Sequence, residues 1–179
     1  MPSLDDLKKR IKSVKSTQKI TKAMKMVAAA KLRKAQESAE KGRPYSDKMQ
    51  NIILNLTNSI SDSENAPKLL IGSGEDKTYL CVVMTSDRGL CGGFNSNICK
   101  KAKNYFKKIL SEGKEIKIIT VGSKGLDQLK REYEKNIIKK ITFKDKKKIT
   151  FKEADEIGKI IIKLFDNKEF DKCIIFYNL

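Results

Sequence analysis

A seven-residue apolar repeat runs through residues 1–60. When the frame starts at Leu4 (position a) and Leu7 (position d), apolar side chains return at both positions near the two ends of this region, whereas the middle is polar or small. Such a repeat predicts an α-helix with an apolar seam for a second helix, as in a coiled coil. The predicted seam residues are Leu4, Leu7, Ile11, Val14, Leu32, Met49, Ile53 and Leu56.

Two residues that usually end helices, Gly42 and Pro44, interrupt this region. The repeat nevertheless resumes after them in the same phase, at Met49 and Ile53, and a loop of arbitrary length would not preserve that phase. We therefore expect one helix over residues 1–60, bent near residues 42–44, and not two helices. At about 1.5 Å per residue this helix would be roughly 80 to 85 Å long.

Beyond residue 60 the hydrophobic period changes. A polar connector is predicted over 61–77 and an α/β domain over 78–179. Strands alternate there with helices, which favours a parallel sheet. The predicted fold class is therefore α/β, with a long N-terminal coiled-coil helix followed by a Rossmann-like parallel-sheet domain that is truncated at its C-terminal end. The predicted strands are 78–84, 115–122, 136–143 (the weakest) and 172–179, and the predicted helices are 95–112, 124–132 and 152–166.

The chain is strongly basic, with 39 Lys and Arg against 22 Asp and Glu, a net charge of +17. This balance favours an acidic partner: nucleic acid, an anionic membrane or an acidic protein surface. All charged residues in 7–36 are cations, and in the heptad frame they fall on every position outside the seam, with Lys25 at position a. A DNA-contacting or membrane-lying helix would show one basic face. A merely solvated helix is the alternative, but such helices usually mix signs. The cations are Lys8, Lys9, Arg10, Lys12, Lys15, Lys19, Lys22, Lys25, Lys31, Arg33 and Lys34.

Several functional classes are disfavoured by what the sequence lacks. It has no His, the commonest general base and metal ligand, and no pattern for nucleophilic or acid–base catalysis. The spacing of its four cysteines fits no zinc motif. Three of them lie beside apolar residues or in a predicted helix, so buried small side chains are the simpler interpretation. No apolar run approaches the length of about 18 residues that a membrane helix needs. We expect no enzymatic activity, no metal or cofactor, and no direct insertion into a membrane.

The stretch SDRGLCGGFN, residues 86–95, lies between a predicted strand and a predicted helix. Phosphates bind at this position in many α/β folds, but the stretch is neither G-x-G-x-x-G nor a P-loop. A nucleotide-binding enzyme is therefore a disfavoured alternative. The simpler prediction is a tight turn in which Gly89, Gly92 and Gly93 adopt positive φ angles. A rigid turn of this kind would display Arg88, Leu90 and Cys91.

Four motifs occur in an order that resembles the gamma subunit of F-type ATP synthases, the central rotor shaft. They are IKSVKSTQKITKAMKMVAAAKLRKAQ, RPY at 43–45, SDRGLCGGFN and GSKG at 122–125. The resemblance implies an N-terminal helix in an antiparallel coiled coil inside the ring of alpha and beta subunits, and an α/β domain beside the epsilon subunit and the c-ring. It implies a non-catalytic subunit that couples proton flow to ATP synthesis or hydrolysis by rotation. It also implies a location on the cytoplasmic face of the bacterial plasma membrane.

The resemblance further implies contacts between the rotor and acidic loops of the beta subunits. The residues expected to make them are Lys22, Met24, Lys25, Arg33, Arg88 and Cys91. The family's long C-terminal helix and its motif have no counterpart in this sequence, so we expect a fragment that cannot transmit torque alone. The alternative from another class is a basic coiled-coil protein that binds nucleic acid, which would explain the charge but not the glycine-rich motif.

Overall fold

The structure is a computed structural model and describes residues 3–60, 66–146 and 148–178. The chain divides into two compact units, Met1–Asp62 and Ser63–Leu179. The first five residues of the predicted connector, residues 61–65, lie outside the described residues, and so does Leu179 at the end of the last predicted strand.

The first unit is a single helix, α1, which spans Leu4–Ser59. Its 56 residues correspond to a length of about 84 Å. Ser3 caps it: the Asp6 N–H donates to the Ser3 hydroxyl over 3.2 Å, and the Ser3 N–H donates to the Asp6 carboxylate over 3.2 Å. These bonds satisfy amide groups that have no partner inside the first turn.

Gly42 and Pro44 lie inside α1 and do not end it. Proline has no N–H, so one bond of the helical ladder is missing at Pro44. The residues on either side of it are nevertheless helical. The long N-terminal helix is thus confirmed, while the bend near residues 42–44 stays a prediction.

Within residues 66–146 and 148–178 the second unit contains a parallel sheet and four α-helices. A short helix, α2, spans Lys68–Ile71, inside the segment that was predicted as a polar connector. After it the elements alternate as β1 (Thr78–Met84), α3 (Phe94–Ser111), β2 (Glu115–Val121), α4 (Ser123–Tyr133), a 3-10 turn (Glu134–Asn136), β3 (Ile137–Ile141), α5 (Phe151–Asp166) and β4 (Lys172–Phe176). The predicted α/β class is confirmed.

The four strands are parallel and follow the order β3-β2-β1-β4. β1 lies in the interior of the sheet, between β2 and β4, and residues 79–83 are buried. A strand covered on both faces is expected to be a continuous apolar run, which is how TYLCVVM reads.

Successive residues of a strand point to opposite faces of the sheet, so apolar side chains lie on both faces. Helices cover each of these faces. Cys81 and Val83 face one core, to which α3 and α4 contribute Ile98, Cys99, Ala102, Phe106, Leu129 and Tyr133. Leu80 and Val82 face the other core, against which α5 packs Ile157, Ile160, Ile161 and Leu164. Each large apolar side chain buried in this way stabilises the unit by roughly 1.5 to 3 kcal/mol.

The strand order reverses at β1. The chain moves outward from β1 to β2 and β3, and then returns to place β4 on the other side of β1. In open α/β sheets, functional loops gather beyond the carboxyl ends of the strands at such a reversal. The glycine-rich turn that follows β1 occupies this position.

Candidate functional site

The predicted contact residues of α1 are exposed. Met24 is 68% exposed, and Lys22, Lys25 and Arg33 are exposed as well. Arg33 donates from its Nε to Glu37 Oε1 over 3.0 Å, one helical turn further along. Of the cations in residues 7–36, Arg33 is the one that forms an ion pair within the part of the chain that the structure describes. The positive charge of this stretch is therefore almost uncompensated.

The predicted seam residues are exposed too, and α1 has no buried residue. Their exposed fractions range from 43% at Met49 to 69% at Leu4. An exposed row of large apolar side chains marks an interaction surface when it is continuous over several turns. The seam stays a prediction, because the described part of this unit, residues 3–60, contains only one helix.

The glycine-rich turn, which we define as residues 86–93, is held by a buried amide. Asn95, the second residue of α3, is 5% exposed. Its Oδ1 accepts the Ser86 N–H over 2.9 Å, and its Nδ2 donates to the Ser86 hydroxyl over 2.9 Å and toward Cys91 Sγ over 3.1 Å. Ser86, the first residue of the turn, and Cys91 are thus tied to one side chain.

The prediction about the glycines of this turn was wrong for two of three. Gly92 has a φ of 58°, but Gly93 has a φ of −78° and Gly89 is not in the positive region. The second left-handed position is instead Leu90, with a φ of 60°. Gly93 precedes α3 directly, and its φ is close to helical values because the helix begins there.

A second anchor of the turn is Asp87. Its carboxylate accepts the Ser123 N–H over 2.7 Å, the Thr142 hydroxyl over 2.7 Å and the Phe143 N–H over 2.8 Å. Burial by itself would raise the pKa of Asp87, but the hydrogen bonds from Phe143, Thr142 and Ser123 outweigh it and lower the pKa. One carboxylate therefore connects the segments that follow β1, β2 and β3.

The GSKG motif, residues 122–125, provides close packing against the end of β1. Gly122 has a φ of 96°, and a Cβ atom built on it would lie 2.2 Å from the Thr85 carbonyl oxygen. A Cβ on Gly125 would lie 2.8 Å from Thr85 Oγ1, which accepts the Gly125 N–H over 2.8 Å. The two glycines therefore allow α4 to approach the segment that begins the glycine-rich turn.

This packing also places Lys124 beside the turn. A Cβ atom on Gly89 would be 3.8 Å from Lys124 Cε, and the Lys124 N–H donates to the Ser86 carbonyl over 3.2 Å. The Lys124 ammonium forms an ion pair with Asp127 over 3.0 Å. Arg88 is exposed, whereas Lys124 is half-buried and has its charge compensated by Asp127.

The four cysteines differ in environment. Cys81 and Cys99 are buried, Cys173 is half-buried and Cys91 is exposed. Burial, followed by the proximity of Cys173, raises the pKa of Cys81 to about 12, and burial raises the pKa of Cys99 and Cys173. Cys81 and Cys99 thus behave as small core side chains, as the sequence suggested.

Two of the predicted contact residues come together in the second unit. Arg88 and Cys91 share the glycine-rich turn, and Cys91 Sγ lies 3.9 Å from the Arg88 carbonyl oxygen. Lys22, Met24, Lys25 and Arg33 belong to the first unit. Asn95 and Asp87, which organise the turn, were not singled out from the sequence. The available signal was the position of Asn95 at the start of a helix that follows a glycine-rich turn. Short polar side chains at such positions often form hydrogen bonds with nearby backbone groups.

Two further observations concern the described residues as a whole. Residues 3–60, 66–146 and 148–178 contain no cluster of three or more His, Cys, Asp or Glu side chains placed to hold a metal ion. None of the helices within these ranges is both long enough and apolar enough to cross a bilayer.

Comparison with known proteins identifies the family. A family model described as ATP synthase matches residues 3–179. The ATP synthase gamma chain of Pelagibacter ubique (strain HTCC1062) is 71% identical over 99% of this chain and 61% of its own length. The chain belongs to the ATP synthase gamma-chain family. The resemblance carried by the four sequence motifs is thereby confirmed.

Further members agree with this assignment. The ATP synthase gamma chain of Sinorhizobium medicae (strain WSM419) is 55% identical, again over 99% of this chain and 61% of its own. A chain in the central stalk and c-ring structure of the Tetrahymena thermophila mitochondrial ATP synthase superposes with a TM-score of 0.64 at 29% identity, over 89% of this chain and 65% of that one. This gamma-family chain spans about 61% of the length of the curated relatives it matches.

Proposed function

We propose that this chain acts in the central rotor shaft of an F-type ATP synthase. In this role it couples proton flow through the membrane c-ring to ATP synthesis or hydrolysis at the ring of alpha and beta subunits, and it performs no catalysis itself. Its proposed partners are the alpha and beta subunits, the epsilon subunit and the c-ring. Its proposed location is the cytoplasmic face of the bacterial plasma membrane, with no direct membrane insertion.

The observation that carries this proposal is the almost uncompensated positive charge around α1. Residues 7–36 contain no acid, and their cations are exposed. Such a helix repels itself along its length, because like charges in neighbouring turns are destabilising. An acidic enclosure on all sides would relieve this repulsion, whereas a flat anionic partner such as a duplex or a bilayer would meet only one side.

The exposure of these cations also suits a rotating contact. Ion pairs between exposed side chains are worth about 0 to 1 kcal/mol each, so they exchange easily as one surface moves past another. A buried and desolvated ion pair would be costly to break and would hold the shaft in one orientation. We therefore expect Lys22, Lys25 and Arg33 to make solvated contacts with acidic loops, with Met24 between them and Arg88 and Cys91 contributing from the second unit.

A binding titration tests the proposal. The chain is titrated, at several salt concentrations, against a ring of ATP synthase alpha and beta subunits from Pelagibacter ubique. We expect binding that weakens as salt increases, because salt screens exposed charge pairs. The double variant Lys22→Glu/Lys25→Glu should bind about tenfold more weakly. The matched control is Lys41→Glu/Lys48→Glu, which changes the same number of charges on α1 outside the basic stretch.

Different outcomes favour different functions. Absence of binding to the ring, or equal losses in the two double variants, would contradict the proposal. Tight binding to duplex DNA, with a log–log salt slope near −0.9 per neutralised phosphate, would favour the nucleic-acid-binding alternative. Heat released on titration with ATP would favour a nucleotide-binding protein. In the complete synthase, the Lys22→Glu/Lys25→Glu variant should pump fewer protons per ATP hydrolysed than the control.

A further inference from the structure

The connection between β3 and α5 carries two large apolar side chains on its surface. Phe151, the first residue of α5, is 80% exposed, more than any other aromatic side chain that the structure describes. Ile149, two residues before it, is 61% exposed. A single exposed apolar side chain is common on a protein surface, whereas a group of them marks a contact with another molecule.

Folding does not account for these two side chains. A residue directly before an N-cap often packs on the fourth residue of the helix, but that residue is Ala154 here and Ile149 stays exposed. Phe151 occupies the first helical position, where an aromatic side chain gives the helix no advantage. Because both side chains remain in water, they gain little stability from burial within this chain.

A buried carboxylate fastens this connection to α5. Glu153 is 5% exposed, and its Oε2 accepts the Thr150 N–H over 2.8 Å and the Thr150 hydroxyl over 2.6 Å. Its Oε1 forms an ion pair with Lys146 Nζ over 3.2 Å. One acid thus brings two parts of the connection together at the first turn of α5, so Ile149 and Phe151 lie on a supported segment.

The charge beside these side chains is positive and free. Lys144, Lys148 and Lys152 are exposed, and none of them forms an ion pair within residues 66–146 and 148–178. Asp145 is the only acid in the sequence between Lys144 and Lys152. We define the basic–apolar patch as Lys144, Lys148, Ile149, Phe151 and Lys152.

This combination of side chains fits the surface of an anionic bilayer. Phe and aliphatic side chains lie favourably at the boundary between headgroups and acyl chains, while the long lysine side chains reach the lipid phosphates. A nucleic-acid duplex would engage the lysines through its phosphates but would gain little from Ile149 and Phe151. The apolar pair therefore favours a lipid surface.

We propose that the basic–apolar patch binds an anionic phospholipid surface, with Ile149 and Phe151 at the level of the headgroups and the three lysines on lipid phosphates. The contact is peripheral and requires no segment that crosses the bilayer. It goes beyond the proposed function, which needs no contact between the second unit and lipid. It also holds whether or not the chain binds the ring of alpha and beta subunits.

Tryptophan fluorescence tests the proposal, because the chain contains no Trp. Phe151→Trp in the full chain places one reporter inside the patch. Its emission should shift to shorter wavelength with vesicles of phosphatidylcholine and phosphatidylglycerol, and should not shift with phosphatidylcholine alone. Leu69→Trp is the matched control, because Leu69 is 62% exposed in the same unit and lies outside the patch. Its emission should stay unchanged with both kinds of vesicle.

Vesicle sedimentation measures what the lysines contribute. The basic stretch of α1 also attracts anionic vesicles, so two variants that each remove three charges are compared. They are Lys144→Gln/Lys148→Gln/Lys152→Gln in the patch and Lys12→Gln/Lys15→Gln/Lys19→Gln on α1. The patch variant should bind about a hundredfold more weakly, about fivefold for each lysine, and the α1 variant should lose about tenfold or less. Phe151→Ser keeps the charge and should lose about tenfold.

The outcomes are decisive in both directions. The proposal is refuted by an unchanged emission of Phe151→Trp with anionic vesicles, by an equal shift of Leu69→Trp, or by equal losses in the two triple variants. A shift of Phe151→Trp with single-stranded RNA but not with vesicles would assign the patch to nucleic acid instead. The thermal unfolding midpoints should match that of the original chain, and a loss of binding that only accompanies a lower midpoint would mean that these residues serve folding.

Discussion

A Cβ atom placed on Gly122 would lie 2.2 Å from the carbonyl oxygen of Thr85, a separation that real Cβ atoms essentially never show. The atom in the way belongs to the backbone, which cannot rotate aside as a side chain would. Thr85 is also the residue that connects β1 to the glycine-rich turn, and its N–H donates to the Val121 carbonyl over 2.7 Å. The distance between β1 and the start of α4 therefore depends on residue 122 having no side chain.

Gly122→Ala should destabilise the second unit by roughly 2 to 4 kcal/mol, from the left-handed backbone and the clash together. The control is Gly113→Ala, because Gly113 has a φ of 74° but nothing within 4 Å of the added atom. Chemical denaturation of both variants isolates the contribution of the clash. Equal losses of stability in the two variants would show that the approach of Thr85 has no energetic importance.

Asn95→Ala should loosen the glycine-rich turn. It removes the acceptor of the Ser86 N–H and leaves the Ser86 hydroxyl without its partner in α3. The expected cost is about 1 to 3 kcal/mol, typical of a lost hydrogen bond to a buried polar group. Hydrogen exchange should show faster exchange of the Ser86 amide. Asn97→Ala, an exposed position on the same helix, is the control, and unchanged protection of Ser86 in Asn95→Ala would refute this role.

Asp87 should contribute to stability in a pH-dependent manner. The pKa of Asp87 in the folded chain lies below the usual value for an aspartate, so its contribution to stability is present above that usual value and is lost as the pH falls through the folded pKa. Asp87→Asn should cost about 1 to 2 kcal/mol at pH 7, since an amide –NH₂ would replace one of the accepting oxygens. The difference in unfolding free energy between Asp87→Asn and the original chain should shrink as the pH falls below about 3.8.

Urea denaturation of Asp87→Asn and the original chain across pH 2.5 to 7 measures this dependence. Asp127→Asn is the matched control, because it neutralises an exposed carboxylate that pairs with Lys124. A stability difference for Asp87→Asn that stays constant over the whole range would mean that the ionised carboxylate does not matter to the turn.

The exposed seam of α1 leads us to expect weak self-association of this chain. Leu4, Leu7, Ile11 and Val14 form one apolar cluster, and Met49, Ile53 and Leu56 form another near the opposite end. Burying each side chain would contribute roughly 1.5 to 3 kcal/mol, while the positive charge of residues 7–36 opposes pairing. An antiparallel pair places that stretch beside the less basic residues 37–60 of the second copy, whereas a parallel pair superposes the two basic stretches.

Sedimentation at low and high salt measures this association, which should strengthen as salt screens the repulsion. Val14→Asp/Ile53→Asp should abolish it, while Lys15→Asp/Asn51→Asp, at positions one and two residues away, should not. A chain that stays monomeric at both salt concentrations, with α1 protected from proteolysis, would show that the apolar row is not a pairing surface.

Local and repeated patterns explain why much of this fold could be predicted. The heptad phase that survives Gly42 and Pro44 predicted one helix, and α1 runs from Leu4 to Ser59. The apolar runs predicted every strand, and each of the four lies within two residues of its expected start. A hydrophobic period is a property of neighbouring residues, since each element must bury one face or both whatever the remainder of the chain does.

The glycine-rich turn shows what required the tertiary structure. Its sequence contains three glycines, yet the positive φ angles fall on Gly92 and Leu90, because Asn95 and Asp87 tie the turn to α3 and to the segments after β2 and β3. GSKG likewise shows no obvious role until Thr85 is found against Gly122. These features depend on contacts between residues that are distant in sequence, and no local period records which strand ends will meet.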